Sequence, residues 1–289
     1  MASLSIVLAM LATASSPAHH QPACTTLRVM TYNIRLDLES DGANKWSKRR
    51  DQFVGQIGLM HPAILGLQEV VRGQQADLEK AFPTYTFLGL PREGGPMGES
   101  ANLAFDQTVF KVTKSGTFWL SPTPEVPSKG WDAAYRRIAT WAHLVRRSDG
   151  RRFLALNTHL DNEGSTARLE GAREILGWLA AHKAPGEYVL MTGDLNSEPK
   201  SPPYAALTSS PLGLRDSRAI SQSPPIGPEG TFNDFNPLPS NSQRIDYVLV
   251  GSGVSVLRYA VLSWHGEGGR TASDHFPVVA DLAACGAAG

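Results

Sequence analysis

The stretch RTASDHFPVV, residues 270–279, sets Asp274 and His275 side by side at the mouth of an apolar run near the C-terminus. An Asp in such a place has a plain use, because turns employ it to accept backbone hydrogen bonds. Taken alone the stretch therefore decides little. The fold and the chemistry depend on whether other apolar runs of the chain end the same way.

They do. Asn33 closes LRVMTYN, Glu69 closes AILGLQE, His159 follows FLALNT, and Asp194 and Asn196 lie in GDLN directly after YVLMT. Asp246 sits at the start of the strand-like part of RIDYVLV. Carboxylates, carboxamides and imidazoles are costly to bury unless paired. One at a strand end is unremarkable; six such ends point to one pocket at a common sheet edge. Oxygen donors of this kind suit a hard cation, Mg²⁺ or Mn²⁺. The chain has no Cys/His cluster and no His-x-x-x-His or Glu-x-x-His spacing, which argues against zinc. It also lacks Gly-x-Ser-x-Gly and Gly-x-x-x-x-Gly-Lys, so the usual serine-hydrolase and P-loop readings fall away. Acids with a hard metal, two histidines and amide donors are what phosphoester hydrolysis requires.

Between these ends, apolar runs alternate with amphipathic segments. LRVMTYNI (27–34) and AILGLQEV (63–70) read as strands buried on both faces, and residues 47–60 as a helix with Phe53, Ile57 and Met60 on one side. A short helix is expected near 72–82. The runs YTFLGL, NLAF and VTKSGTFWL read as strands, the first two separated by the Gly-rich PREGGPMGES. RIATWAHLVRR and RRFLALNTHL flank Ser-Asp-Gly (148–150) and form a hairpin. Residues 165–182 give the clearest helix, with Leu169, Ala172, Ile175, Leu176 and Leu179 on one face. EYVLMTGDL, RIDYVLV, VSVLRYAVLS and FPVVADL are further strands, and 221–243 reads as a long surface loop. Buried strands with outer helices call for layered α/β structure.

The totals agree with one large domain or two small ones. The 289 residues are 42% apolar and 19% charged, and 27 basic side chains balance 27 acidic ones. A dedicated duplex-DNA binder normally shows a basic excess, although a local positive cleft remains compatible with this balance. The opening MASLSIVLAMLATASSPAHH reads as a secretory signal peptide over 1–18, with an apolar segment too short to span a bilayer and cleavage after Ala14 or Ala18. It lacks the usual Lys or Arg before the apolar segment. Export fits the two cysteines: Cys24 precedes the first strand-like run and Cys285 follows the last, so antiparallel pairing of those strands would let the sulfurs meet. Two unpaired thiols are the alternative.

TYNIR, LQEV, NTHLD, GDLNS, RIDYVLV and SDHFPV, in that order, resemble the endonuclease/exonuclease/phosphatase superfamily of DNase I-like enzymes. GWDAAYRRIATWAHL is similar to a bacterial, often secreted branch of it whose substrates are mostly unassigned. The resemblance implies a four-layered α/β sandwich, two packed mixed β-sheets flanked by helices, spanning 24–285. It also implies neighbouring first and last strands, in keeping with a Cys24–Cys285 bridge. It sets Glu69 as main metal ligand, with Asn33 and Asp274 beside it. Asp194 becomes the candidate for orienting and activating water, with Asn196 donating to a phosphate oxygen. His275, oriented by Asp246, contacts phosphate; whether Asp194 or His275 removes the proton stays open. His159 falls near the leaving oxygen, as general acid or phosphate binder.

Arg137 and Arg168 are candidate substrate contacts, and Arg136 should face the opposite side of its strand. Asn162 stands where related sequences of the branch often carry His. Glu99 and Trp131 fall in loops that could shape the pocket. His61, His143 and His182 read as structural, and His265 lies in a loop. The expected activity is that of a secreted or periplasmic monomeric Mg²⁺-dependent phosphoesterase, first a nuclease (endonuclease or 3′–5′ exonuclease), with a phosphomonoesterase on a sugar phosphate as the alternative. The partner is accordingly nucleic acid or a small phosphorylated substrate, with no stable membrane association. A scaffold that has lost the chemistry would show damage at Glu69, Asp194 or His275, and none is seen.

Overall fold

A computed structural model describes residues 24–285. The signal peptide expected over 1–18 lies outside the described residues. In chain order the elements begin β1 (Thr25–Asn33), α1 (Trp46–Met60), β2 (Ile64–Val70), α2 (Arg72–Ala81), β3 (Tyr85–Leu88), β4 (Ser100–Asp106), β5 (Phe110–Trp119) and β6 (Ile138–Arg146). They continue with β7 (Arg152–His159), α3 (Ser165–His182), β8 (Tyr188–Asp194), α4 (Pro202–Thr208), β9 (Arg215–Asp216), β10 (Asp246–Val250), β11 (Val254–Val261) and β12 (Val278–Ala284). Two six-stranded sheets result, in the orders β11-β12-β1-β2-β4-β3 and β5-β6-β7-β8-β10-β9. Both mix parallel and antiparallel pairs.

Period-two alternation explains the layers. In β1, Val29 faces the other sheet, whereas Met30 and Tyr32 face the helices. The inter-sheet core joins Val29, Ile64, Leu103 and Phe105 to Leu144, Phe153, Leu190 and Val248. On one outer face Phe53 and Ile57 of α1 and Leu78 of α2 pack on Leu65 and Leu67. On the other, Ala172, Ile175 and Leu179 of α3 pack on Leu154, Leu156 and Met191. The expected four-layered sandwich is therefore the observed one.

The cores change character toward the site. Thr31, Gln68, Asn157 and Thr192 replace apolar residues between the sheets, all of them buried. Gln68 Nε2 donates to Thr31 Oγ1 at 3.0 Å and Asn157 Oδ1 at 2.7 Å, and Thr192 Oγ1 donates to the same Asn157 oxygen at 3.0 Å. Asn157 Nδ2 donates to the carbonyls of Leu67 and Asn102. Room for this network comes from Gly66, where a Cβ would lie 2.1 Å from Thr192 Oγ1. Hydrogen bonds have direction, so this layer fixes how one sheet sits on the other in a way that Val and Leu cannot.

β1 runs antiparallel beside β12, from Thr25↔Ala284 to Thr31↔Val278, and Cys24–Cys285 is a disulfide just past that end. Two local features depart from the sequence reading. α4 was not anticipated: seven residues opening on two prolines give too few periodic positions to reveal a helix. The loop 221–243 turns inward at its middle, where Thr231 and Asn233 are buried. Thr231 Oγ1 accepts from the backbone N–H groups of Ile245 and Asp246, which satisfies the entry to β10.

Candidate active site

Register alone brings three of the candidate residues together. β7 and β8 are parallel with His159 opposite Asp194, and β10 runs antiparallel with Asp246 opposite Asp194. Asn33 ends β1 in the facing sheet, and its side chain spans the gap. Nδ2 donates to Glu69 Oε1 and to Asp194 Oδ2, both at 3.0 Å, while Oδ1 accepts from Arg35 N–H at 2.9 Å. Asn33 thus braces a carboxylate from each sheet.

Glu69 needs a special backbone. Gln68 points between the sheets, so plain alternation would send Glu69 to the helix side. Instead the β2–β4 register shifts between Leu67 and Val70, and Glu69 takes φ 64°. A bulge with a left-handed non-glycine residue is costly and re-aims a side chain. Here it turns Glu69 into the cavity, where Oε2 accepts from Leu36 N–H at 3.1 Å. Arg35 and Asn196, at φ 56° and 44°, carry the same strain on neighbouring segments.

Asp274 is buried opposite this group. It accepts from Ser273 Oγ at 3.2 Å and lies 3.6 Å from Arg35 Nη1, and Arg35 is held by two hydrogen bonds to Asp41. Burial raises the Asp274 pKa; His275 opposes this, Glu69 reinforces it, and Arg35 and Arg49 oppose it again. Arg49 was missed in the sequence. It is wholly buried in α1 and donates to the carbonyls of Ile34, Arg35, Asn44 and Ala272, tying the loop after Asn33 to the loop before Asp274. The signal was an Arg four residues before Phe53, in line with Phe53 and Ile57 on the apolar stripe.

His275 Nδ1 is 2.8 Å from Asp246 Oδ2, and Nε2 faces Asp194 Oδ2 at 3.8 Å. Phe232 packs edge-on against the ring at 5.2 Å. Burial opposes a charged imidazole, yet Asp246, Asp194 and Asp274 together hold its pKa well above the ordinary value. Asp194 is pushed up, by burial first and then by Asp246; His275 and the hydrogen bonds from Asn196 and Asn33 resist. Asn196 Nδ2 donates to the Leu160 carbonyl and to His159 Nε2, each at 3.0 Å. Since the carbonyl fixes which end of the amide is nitrogen, His159 Nε2 is an acceptor and its proton sits on Nδ1. Burial, then Arg137, His275 and Arg92, keep that ring neutral.

One wall is built from paired charges. Arg137 Nη2 donates to Asn162 Oδ1 at 2.8 Å, Nε reaches Asp161 at 3.3 Å, and Nη1 lies 3.5 Å from Glu99, which also pairs with Arg92. Tyr135 lies under both guanidinium groups. Asp161, a second residue without an assigned role in the sequence, accepts from the backbone N–H groups of Ala134, Tyr135, Glu163 and Gly164. Burial would raise its pKa, but these donors and Arg137 bring it to about 2. Glu99, Tyr135 and Arg137 join Glu69, His159, Asp194, Asn196, Asp274 and His275 around one cavity of about 540 Å³. Asp246 and Asn33 stand behind its floor.

Arg168 is elsewhere: it lines an adjoining cavity and donates to the Asp161 carbonyl at 2.9 Å. Arg136 pairs with Glu93, away from Arg137. Trp131 is half-exposed and lines neither cavity. His143 pairs with Glu187 at 2.7 Å, His182 stacks on Trp178, His61 ends α1 in a left-handed conformation, and His265 is exposed.

Oxygen donors crowd this site, with the carboxylates of Glu69, Asp194 and Asp274 all lining the cavity. Such a set fits a hard divalent cation. Ligand atoms of Asp194, Asp246 and His275 lie within 4.8 Å of one another. Their closeness is accounted for by the Asp246–His275 hydrogen bond, so Asp274, whose ionisation the charge of Glu69 makes more costly, fits a cation better together with Glu69.

The Endonuclease/Exonuclease/phosphatase family model matches residues 30–275. A solved endonuclease/exonuclease/phosphatase family protein from Bacteroides thetaiotaomicron is 33% identical, with a TM-score of 0.85, covering 90% of this chain and 98% of that one. A mannosyl-6-phosphatase from the same organism is also 33% identical, with a TM-score of 0.84 over 89% of this chain and 99% of that one. A probable RNA exonuclease of Saccharomyces cerevisiae is 26% identical over 210 residues, 65% of this chain. The chain spans less than half the length of the curated relatives it matches, 41% and 49%. No helix among the described residues is long and apolar enough to cross a membrane. With the motifs in order, the strand ends converging and the fold shared along nine-tenths of its length, the chain belongs to the Endonuclease/Exonuclease/phosphatase family of phosphoesterases.

Proposed function

We propose that this chain is a divalent-cation-dependent phosphomonoesterase acting on a small phosphorylated carbohydrate. The observation that carries the reading is the lining of the catalytic cavity. Its 540 Å³ or so suits one small ligand. The cations of its lining, Arg35, Arg92 and Arg137, are already paired with Asp41, Glu99 and Asp161, so among the described residues the cavity offers no unpaired cation. Nucleic acid asks for unpaired cations and successive stacking rings along a groove. The balanced charge of the chain agrees, and the 33% identical mannosyl-6-phosphatase supports the same substrate class. The nuclease reading is favoured by the motif order and the yeast relative, and it stands second.

Glu69 and Asp274, with Asn33 bracing Glu69, would hold a divalent cation, which would supply charge neutralisation at a phosphoryl oxygen. Asp194, fixed by Asn33 and by the N–H of Asn196, orients the attacking water and takes its proton. His275, with Nδ1–H on Asp246, directs Nε2–H at the phosphoryl group, where negative charge grows. His159 and Asn196 stand on the side of the departing oxygen, and Tyr135 offers a face for the sugar ring. Export of a monomer belongs to the same proposal, since a disulfide suits an oxidising compartment.

The test is a substrate panel with Mg²⁺, Mn²⁺ or EDTA: mannose 6-phosphate, p-nitrophenyl phosphate, its bis-ester, single-stranded RNA and plasmid. Metal-dependent phosphate release from the monoesters is expected. Rapid loss of RNA or plasmid with inert monoesters would transfer the proposal to the nuclease.

A further inference from the structure

The adjoining cavity, of about 610 Å³, shares Asn162, Asn196, Gln243 and Ile245 with the lining of the catalytic one. Asn196 forms the divide, pinned by its bonds to His159 and Leu160. Beyond it the lining is rich in uncharged hydrogen-bonding groups: Ser165, Thr166, Ser197 and Ser201. Ser197 is 5% exposed, and its Oγ has no partner among the described residues. A buried hydroxyl left unsatisfied is uncommon, and a bound water or a ligand hydroxyl would complete it. At the near rim Asn162 engages Arg137 through its oxygen, which leaves its NH₂ to the trough, and the Gln243 side chain makes no hydrogen bond among the described residues.

No aromatic ring lines this second cavity, and of its two charged residues Arg168 already donates to the Asp161 carbonyl. A nucleotide base would find nothing to stack on, and a phosphate chain would find one engaged cation. Amides and hydroxyls, each both donor and acceptor, match vicinal hydroxyls. The geometry points to this cavity as an extension of the substrate site that binds the sugar next to the one carrying the phosphate. The natural substrate is then a phosphorylated glycan, larger than a free monosaccharide phosphate. This rests on the phosphatase reading above.

The test compares kcat/KM for mannose 6-phosphate with that for mannobiose phosphorylated on its terminal sugar, in wild type and in Thr166→Trp. Thr166 is exposed on the rim, and its N–H is capped by Asp132, so an indole there obstructs the cavity while that backbone bond is kept. Wild type is expected to favour the disaccharide by roughly tenfold or more, about 1.4 kcal/mol. Thr166→Trp should bring that ratio to near one, with Ser165→Trp as a second blocking variant and thermal melting as the check on folding. Equal kcat/KM in wild type, or a preference that survives both blocks, overturns the extension and leaves the phosphatase reading intact. Turnover of RNA with none of either sugar phosphate overturns both.

Discussion

At the residue scale the site works through pairings that fix one atom at a time. Asp246 makes no contact with the cavity, yet it decides which way His275 points. Asp246→Asn should therefore lower kcat by about 10³–10⁴ while KM hardly moves; steady-state kinetics with p-nitrophenyl phosphate reads this directly. Glu174 on α3 offers a pH test away from the chemistry. One of its oxygens is buried without a partner, and burial raises its pKa to about 8, against a hydrogen bond from the Ser121 N–H. The folded state then binds a proton that the unfolded chain has already released above about pH 4.5. Stability is lost as the pH climbs from there through about 8. Urea midpoints should fall between about pH 5 and pH 9 in wild type, and fall less in Glu174→Gln. Strand-end residues were legible in the sequence because the chemistry limits which types can stand there. Arg49 and Asp161 were not, because their partners lie in other segments and a lone Arg or Asp reads as solvated.

At the element scale the question is how two sheets deliver their ends to one point. The polar layer of Thr31, Gln68, Asn157 and Thr192 answers it, since Asn33, His159 and Asp194 each follow a member of that layer by two residues on the same strand face. Gly66→Ala would press a methyl group onto Thr192 and Asn157, the nearest atom at 2.1 Å. The expected cost is roughly 1–3 kcal/mol of stability, read from the urea midpoint, together with a drop in kcat as the sheets part. The strands and the long helices were readable from periodicity. The bulge at Glu69 was not, because LQEV looks the same whether or not the ladder skips a residue. α4 and the buried middle of the 221–243 loop were hidden for a related reason: short segments gain their structure from what they pack against.

For the whole molecule, the disulfide and the site sit at opposite ends of one strand. Cys24 adjoins Thr25 and Asn33 ends the same nine-residue strand, roughly 30 Å away at about 3.3 Å per residue. The bridge closes a sequence separation of 261 residues, worth up to about 5 kcal/mol in the loop-entropy description. Paired Cys24→Ser and Cys285→Ser substitutions should lower the melting temperature well below that of wild type while kcat on p-nitrophenyl phosphate at 25 °C is retained. A coincident loss of both would mean that strain travels the length of β1.

The central claim is spatial: residues from Asn33 to His275 surround one cation and one phosphorus atom. A crystal soaked with Mn²⁺ and orthovanadate tests it by anomalous diffraction. The expected result is a manganese peak in the roughly 2.0–2.6 Å range of hard-cation ligands from Glu69 and Asp274, with vanadium beside it and a vanadate oxygen in hydrogen-bond reach of His275 Nε2. Manganese seated on the Asp246–His275 pair, or vanadium bound away from these side chains, would contradict it.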